Sequence, residues 1–262
     1  MKIVCCIKQV PSTETKVRIN PQTGFVDTNE VEWVINPYDE YAIELALRIK
    51  EKLGAGSVTA VSLGPERVKM ALRTALAMGV DEAFQLSDPA FEGLDGLGVG
   101  QVLAAAVAQI GFNLVLCGKQ AVDDDMAWVP QAVAHYLKIP HVAVVPEVEI
   151  SGIEADEVVA HREIEGATEM VQVRLPCLLT IQKGKYPPRY PTLKLMMAAK
   201  KKEIPVWGAK ELGLDPGGLA RRVVSLGHRL PPERKAGRVL EGELNQVVLE
   251  LVRLLREEAK VI

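Results

Sequence analysis

Residues 57–86 read SVTAVSLGPERVKMALRTALAMGVDEAFQL and contain one complete strand–helix–strand unit. The apolar runs at its two ends predict buried strands, and Gly64 and Pro65 separate the first run from the helical pattern that follows. Gly79 ends that pattern before the second strand. The residues expected to face the core from the helix are Val68, Leu72, Ala75 and Met78. Because parallel strands need a crossover connection, this unit predicts a parallel sheet.

The same alternation of strand and helix continues along most of the chain. Apolar runs at 2–10, 112–120 and 141–150 predict further strands, with helical patterns between them. Asn36 fits the N-cap of one helix and Pro37 its first position. The sequence therefore predicts an α/β fold with a doubly wound, mostly parallel, Rossmann-like sheet that carries helices on both faces.

The last third of the chain departs from this rhythm. Residues 157–175 alternate polar and apolar side chains around Gly166, as an antiparallel hairpin does. A final helix is predicted at 242–260, and its apolar residues extend beyond a single stripe. Such a helix must cover a surface, either the protein's own core or another subunit. We therefore divide the chain into an α/β domain at 1–204 and a C-terminal arm at 205–262.

Composition excludes several classes of protein. Hydrophobic residues make up 48% and charged residues 25% of the chain, which is typical of globular proteins. A net charge of -3 provides no overall positive field for nucleic acid. The N-terminal MKIVCCIKQV lacks the features of a signal peptide, and no apolar run is long enough to span a membrane. We expect a cytoplasmic protein that does not insert into membranes.

The loop at 118–125 is the strongest candidate for a ligand site that the residues alone provide. It follows a buried strand that ends at Cys117, and open α/β sheets bind ligands at the carboxyl ends of their strands. The run Asp123 to Asp125 has two interpretations. The aspartates could cap the next helix and face solvent, or the loop could bind a nucleotide whose phosphate meets backbone N–H groups at 126–129.

Other motifs give no catalytic site. The glycines of GLDGLGVGQ, residues 93–101, do not match the dinucleotide fingerprint and indicate a plain loop, and no phosphate-binding P-loop motif occurs. Glu163 and Glu165 fall on one side of a strand, where a solvated face is the simplest interpretation. The four cysteines and four histidines lack the spacing of a metal site. No set of nucleophile and base is evident, so we predict neither a catalytic residue nor a metal.

Residues 187–204, PPRYPTLKLMMAAKKKEI, are unusual for an acidic protein. A proline-rich stretch that should be exposed leads into a short apolar turn, and lysines at 200–202 follow directly. An exposed apolar segment of this kind indicates contact with a partner.

Taken together, six segments resemble the beta subunit of electron-transfer flavoproteins. They are INPYDEYAIELALRIKE, ALRTALAMGVDEAF, LVLCGKQAVDDD, REIEGATE, LPCLLT and PRYPTLKLMMAAKKKEI, in that order. The similarity covers residues 1–204, and the tail also fits that subunit's C-terminal arm. The resemblance implies an adenine-nucleotide-binding α/β domain, a heterodimer with an alpha subunit, one FAD held mostly by that partner and one AMP in the beta chain. It also implies electrons arriving from flavoprotein dehydrogenases, such as acyl-CoA dehydrogenases of fatty acid oxidation, and leaving to a membrane quinone oxidoreductase.

The resemblance also implies site residues. Those matching the AMP pocket are Cys6, Lys8, Asn36, Val61, Leu63, Asp123, Ala127, Trp128 and Val129. Tyr38 and Thr13 match positions close to the FAD. Relatives often have Asn-Gln-Thr at 127–129, so here only backbone N–H groups are expected to contact the phosphate.

A docking segment near 186–199 is the last implication of the resemblance. In the family, a loop after the last core strand inserts a leucine, here Leu193, into a pocket on the dehydrogenase. Tyr190, Met196 and Met197 belong to the same surface, and relatives often have proline where this chain has Lys194.

Two other functions stay open on the sequence. The α/β core alone would permit a stand-alone adenine-nucleotide-binding regulatory protein. An ATP-dependent ligase or pyrophosphatase of related architecture is disfavoured, because KQVPSTETK at 8–16 is not a glycine-rich pyrophosphate loop. On this reading the chain is an electron carrier subunit and not an enzyme.

Overall fold

The computed structural model describes residues 1–152, 155–219, 221–232 and 237–262. These residues form two compact units. The first consists of Met1–Val17 and Asp27–Leu226, and the second of Arg18–Val26 and Gly227–Ile262.

The first unit contains the strands and five α-helices of the α/β core. Its strands are β1 (Lys2–Cys6), β2 (Gln9–Pro11), β3 (Trp33–Ile35), β4 (Ser57–Leu63), β5 (Glu82–Leu86), β6 (Leu114–Gly118), β7 (His141–Val145), β8 (Glu147–Glu149), β9 (Glu157–Ile164), β10 (Ala167–Arg174), β11 (Cys177–Ile181) and β12 (Val206–Trp207). Its α-helices are α1 (Pro37–Leu53), α2 (Val68–Met78), α3 (Gly96–Ile110), α4 (Val129–Leu137) and α5 (Leu193–Lys201).

Seven strands form the main sheet in the order β12-β5-β4-β1-β6-β11-β7. Every neighbouring pair is parallel. From β1 the chain passes to β4 and β5 on one side, and it then crosses back to β6 on the other. The predicted doubly wound, parallel α/β fold is confirmed.

Alternate side chains of each strand supply the cores on the two faces of the sheet. Ile3 and Cys5 of β1 pack with the apolar residues of α1 and α2, whereas Val4 and Cys6 pack with those of α3 and α4. This division follows from the two-residue period of a strand. In α2 the four residues expected to face the core, at 68, 72, 75 and 78, are all buried.

Two predicted strands are each divided in the structure. The run at 2–10 separates into β1 and β2, and β2 pairs with β3 in a small antiparallel ribbon. Pro146 separates β7, in the main sheet, from β8, which pairs with β9 in a second, three-stranded sheet. Proline cannot donate to a strand ladder, so it marks the point where the chain changes sheets. The predicted hairpin is present as β9 and β10, with Gly166 at φ 74° in its turn.

The main sheet continues past residue 204. Val206 and Trp207 form β12, which pairs with β5, and the first unit extends to Leu226. The backbone N–H groups of Arg222 and Val223 donate to Asp95 Oδ2, at 2.8 and 3.0 Å. The predicted arm at 205–262 thus begins with residues that pair with the core sheet, and the division at 204 remains a prediction.

The second unit joins two distant segments of the chain. His228 N–H donates to the Gly24 carbonyl at 2.7 Å, and the rings of Phe25 and His228 meet edge to face at 5.5 Å. The helix α6 (Leu244–Arg253) continues into one π-helical turn at Leu254–Glu258, so it is shorter than the predicted span. None of its described residues is buried, and its apolar side chains remain on the surface of the unit.

Among the described residues, no helix combines the length and apolar character that crossing a membrane requires.

Candidate functional site

The candidate site lies at the carboxyl edge of the main sheet, where the chain reverses its direction of travel across the strands. Cys6 at the end of β1 stands beside Val61 of β4 and beside Cys117 of β6 in the strand register. Cys6 and Val61 are buried, and Leu63 ends β4 at the same edge. The loops after β1, β4 and β6 therefore leave the sheet side by side, at the position where open α/β sheets bind ligands.

Lys8, which follows β1, holds the loop that follows β6. Its Nζ lies 2.7 Å from Asp123 Oδ1 and 2.9 Å from Asp124 Oδ2. Burial tends to lower the pKa of Lys8, but the hydrogen bonds and charges of the two aspartates outweigh it and raise the pKa. Two predicted nucleotide residues, Lys8 and Asp123, are thus paired with each other in this structure.

Asn36 is buried, and its side chain bonds to the backbone of the same loop. Its Nδ2 donates to the Gln120 carbonyl at 2.9 Å, and its Oδ1 accepts from the Val122 N–H at 3.2 Å. The residue precedes α1, but its side chain makes no capping hydrogen bond there. Asn36 and Pro37 thus occupy the predicted N-cap and first positions of α1, while the side-chain amide of Asn36 bonds to the loop instead of the helix.

Asp39 is the residue of this edge that the sequence did not reveal. It lies in the first turn of α1 and is buried, and its Oδ2 accepts from Lys8 N–H at 2.7 Å while its Oδ1 accepts from Gly118 N–H at 2.8 Å. One carboxylate therefore joins the ends of β1 and β6. Burial raises the pKa of Asp39 to about 7, although the backbone N–H donors lower it. The only signal in the sequence was an acid two residues after Pro37, which is common in the first turn of a helix.

Gly118 makes this junction possible. A Cβ on Gly118 would lie 2.3 Å from Asp39 Oδ1 and 2.7 Å from Tyr38 Cβ. The carboxylate can reach the end of β6 only because no side chain occupies that space.

The loop before α4 has an unusual backbone. Asp125 and Ala127 have positive φ values of 50° and 55°, and Trp128 returns to the right-handed region at φ -110°, ψ -20°. A residue with positive φ followed by a right-handed residue, as at Ala127 and Trp128, is the backbone pattern whose N–H groups suit an anion. This backbone fits a phosphate, whereas the residues at 127–129 offer no polar side chain except the Trp128 indole N–H.

The three aspartates at 123–125 do not cap α4. Asp123 and Asp124 pair with Lys8, and Asp125 Oδ1 accepts from Gln120 Nε2 at 2.6 Å. The helix begins at Val129 rather than near 126, and no side chain caps it. The capping part of that interpretation is therefore wrong, whereas its solvent-facing part is confirmed, because all three aspartates are exposed. Their carboxylates pair with Lys8 and Gln120.

Trp128 and the glycines of α3 form a close contact between helices. A Cβ on Gly96 would lie 1.5 Å from Trp128 Nε1, and one on Gly100 would lie 2.5 Å from Ala132 Cβ. These glycines let α3 and α4 approach each other. The prediction of a plain loop at 93–101 is wrong from residue 96 onward, because Asp95 caps α3 and accepts two N–H groups, each at 3.0 Å.

The two residues matched to the flavin lie at different places. Tyr38 is half-buried in the first turn of α1, with Lys119 Nζ 5.0 Å from its ring centroid. Thr13 is exposed in the turn after β2. No described group of three or more His, Cys, Asp or Glu residues is arranged to hold a metal ion.

The predicted docking residues lie on or just before α5 and are exposed. Thr192 caps this helix, its Oγ1 accepting from Leu195 N–H at 3.3 Å, so the segment expected to be a loop is helical from Leu193 onward. Tyr190 is 95% exposed and Leu193 73% exposed. Met196 and Met197 are exposed on the same helix.

Comparison of the sequence with known proteins identifies the family of the chain. The model of the electron transfer flavoprotein domain matches residues 23–212. The chain is 39% identical to the electron transfer flavoprotein subunit beta of Bacillus subtilis over 100% of both chains. It belongs to the electron transfer flavoprotein beta subunits. The corresponding subunit of Thermoanaerobacterium thermosaccharolyticum is 40% identical over 97% of this chain and 98% of that protein.

A third relative is named for a larger assembly. The caffeyl-CoA reductase-Etf complex subunit CarD of Acetobacterium woodii is 37% identical over 98% of this chain and 99% of its own length. Because the matches to the relatives span both units of this beta subunit, the family assignment covers the whole chain. The predicted family and the role of an electron carrier subunit are confirmed, and the regulatory and ligase alternatives are not favoured.

Proposed function

We propose that this beta subunit pairs with an alpha subunit, and that the heterodimer carries electrons from flavoprotein dehydrogenases, such as acyl-CoA dehydrogenases, to a membrane quinone oxidoreductase. The observation that supports it best is full-length similarity to beta subunits of electron carriers. With acyl-CoA dehydrogenases as donors, the carrier would serve fatty acid oxidation. Its location in the cytoplasm remains a prediction.

AMP is proposed to bind at the carboxyl edge of the main sheet. The buried end residues Cys6 and Val61 would form the floor, and backbone N–H groups at 126–129 would donate to the phosphate. The N–H of Met126 would first have to leave Asp124 Oδ1, to which it donates at 3.1 Å. Asn36 would act indirectly by fixing the loop, since both polar atoms of its amide are already bonded. Lys8 would have to exchange an aspartate for the phosphate, or remain paired and shield it from Asp123.

FAD is proposed to lie mostly on the alpha subunit, with Tyr38 and Thr13 nearby on this chain. Bound FAD supplies the redox chemistry, and this chain supplies position and electrostatics. The exposed apolar side chains of α6 are proposed to pack on the alpha subunit. A helix with that much exposed apolar surface is rarely left uncovered.

The proposed docking surface consists of Tyr190, Leu193, Met196 and Met197. Burying one leucine is worth about 1.5–3 kcal/mol, far less than the roughly 8 kcal/mol of micromolar binding. A surface anchored by one leucine therefore allows quick release, which suits a carrier that meets successive partners.

Co-expression with the alpha chain tests the proposal. We expect a flavin absorption band in the purified complex and none in the beta chain alone. Removing bound nucleotide and adding AMP back should raise the melting temperature, since a ligand that binds only the folded state stabilises it. A flavin band in the isolated beta chain, or nucleotide-free protein that AMP does not stabilise, would contradict the corresponding assignment.

A further inference from the structure

The docking helix α5 makes polar contacts with the core at both of its ends, and the apolar side chains proposed for docking are exposed. Arg189, just before the helix, reaches α1. Its Nε lies 2.8 Å from Glu44 Oε2, its Nη2 lies 3.2 Å from Glu44 Oε1, and its backbone N–H donates to Glu44 Oε2 at 3.1 Å. The same guanidinium pairs with Glu51, about two helical turns further along α1. We call Glu44, Arg48, Glu51 and Arg189 the leading clamp.

Glu44 is the centre of the leading clamp. Its side chain is 2% exposed, and Arg48 Nε also donates to its Oε1 at 2.6 Å. Burial alone would raise the pKa of Glu44, but the hydrogen bonds and charge of Arg189 and the bond from Arg48 lower it. A buried carboxylate needs this many partners to remain charged. Its position is therefore fixed, and it fixes Arg189 in turn.

The opposite end of α5 is held by a second set of contacts, which we call the trailing clamp. Arg73 of α2 donates through Nη1 to the carbonyls of Ala199, Lys200 and Lys202, at 2.8, 3.2 and 3.3 Å. The last turn of a helix leaves carbonyls that the helix itself does not satisfy, and here the Ala199 carbonyl also accepts from the Lys202 N–H at 3.3 Å. Lys202 Nζ donates in return to the carbonyls of Val80 and Asp81, at 3.3 and 2.7 Å.

Lys202 thus has a different environment from its two neighbours. Lys202 follows the last residue of α5 in an extended conformation, φ -71° and ψ 137°, and its side chain reaches the carbonyls of Val80 and Asp81 after α2. Lys200 and Lys201 are exposed on the last turn of the helix. The lysine run therefore contributes one structural contact and two surface charges.

We infer that Glu44 and Arg189 are positioning residues for electron transfer: they orient the docking helix before a dehydrogenase arrives. The inference rests on the proposed docking function. A segment that is already ordered loses little conformational entropy on binding, so its few apolar contacts suffice. Without the leading clamp, the docking residues of α5 would be ordered only on binding to the dehydrogenase, and this ordering would weaken the binding.

The central test replaces Glu44 by Gln in the complete, flavin-containing heterodimer. The change keeps the size of the side chain, but it removes the charge that holds two arginines and replaces one of the two accepting oxygens by an amide NH2, which cannot accept from them. We expect hydrogen exchange of the backbone amides at 190–199 to become faster than in wild type by about tenfold, and the KM for an acyl-CoA dehydrogenase to rise by a similar factor. The kcat at saturating dehydrogenase should stay unchanged, because neither Glu44 nor Arg189 is among the residues proposed to lie near the flavin.

Two further variants serve as an intermediate case and as a control for unspecific loss of structure. Arg189→Lys retains the charge but not the planar fork, so it should fall between wild type and Arg189→Gln in both readouts. Glu66→Gln is the matched control, since Glu66 pairs with Lys69 at 2.9 Å in an exposed contact on the approach to α2. The control should change neither exchange in α5 nor the KM.

Leu193→Ala separates this inference from the docking proposal. If Leu193→Ala raises the KM while Glu44→Gln and Arg189→Gln leave it unchanged, docking stands and the positioning role is wrong. The positioning role would also be wrong if hydrogen exchange of the amides at 190–199 were the same in Glu44→Gln and Arg189→Gln as in wild type. If Leu193→Ala has no effect on the KM, or wild type does not accept electrons from the dehydrogenase, the docking function itself fails and the inference fails with it.

Discussion

The carboxyl edge of the sheet and the docking helix α5 use polar side chains in opposite ways. At the edge, Asn36 and Asp39 are buried and bond to backbone groups of two separate segments, at Lys8 and at 118–122. On α5 the polar contacts lie only at the two ends, and the middle of the helix exposes apolar side chains. The edge is fixed from within, whereas α5 is positioned from its ends and left available. Damage to the edge should therefore appear as lost stability, and damage to α5 as lost partner contact.

The largest expected effect concerns the pH dependence of the edge. The pKa of Asp39 is about 7 in the folded protein and about 3.8 in the unfolded chain, so the folded state holds more protons between these values. Its contribution to the free energy of unfolding is therefore greatest near pH 4 and is lost as the pH rises toward 7, by up to about 1.4 kcal/mol per pH unit. The variant Asp39→Asn has no ionisable group at this position, so it should lack this dependence of the free energy of unfolding on pH.

Urea unfolding of wild type and Asp39→Asn at several pH values measures the difference. The stability of wild type relative to the variant should decline from pH 4 to pH 7 and then level off. Parallel curves over this range would show that the carboxyl is ionised throughout, and the edge would then be less tightly enclosed than described.

A second prediction tests how closely the edge is packed. Gly118→Ala should lower the free energy of unfolding by about 1–3 kcal/mol, because the new methyl group would meet Asp39 and Tyr38. Gly152→Ala is the control, since nothing lies within 4 Å of the position of its Cβ. Denaturant unfolding of both variants checks the result. Equal stabilities would mean that Asp39 can move aside at little cost.

The smallest expected effect on stability belongs to α5. Leu193→Ala should change the free energy of unfolding by less than about 0.5 kcal/mol, because the side chain is 73% exposed. The measurement is the same urea titration used for Gly118→Ala. A loss as large as that of Gly118→Ala would show that Leu193 packs on the protein itself, and the contrast between the two regions would disappear.

The sequence was sufficient for the elements whose signals are local. Apolar periodicity and glycine ends gave α1 and α2, and the alternation around Gly166 gave the β9–β10 hairpin. The resemblance located the loops at the carboxyl edge and the exposed residues of α5.

The sequence did not reveal contacts between residues that lie far apart in the chain. Asn36 satisfies every local rule for an N-cap, yet its amide bonds to a loop 84 residues away. Asp39 appeared to be an ordinary acid of a first helical turn, because the N–H group of Gly118 lies 79 residues away. The glycines of α3 have a purpose only when Trp128 and Ala132 lie against them. No pattern in one segment reports such long-range contacts.

The second unit combines residues 18–26 with residues 227–262, and the 200 residues at 27–226 lie between them. At roughly 5–20 residues per second, the ribosome needs about 10–40 s to make that interval. Residues 18–26 therefore cannot contact residues 227–262 until that interval has been synthesised. This unit, and any subunit contact made through α6, can therefore form only late in synthesis, which makes assembly a step that follows folding of the core.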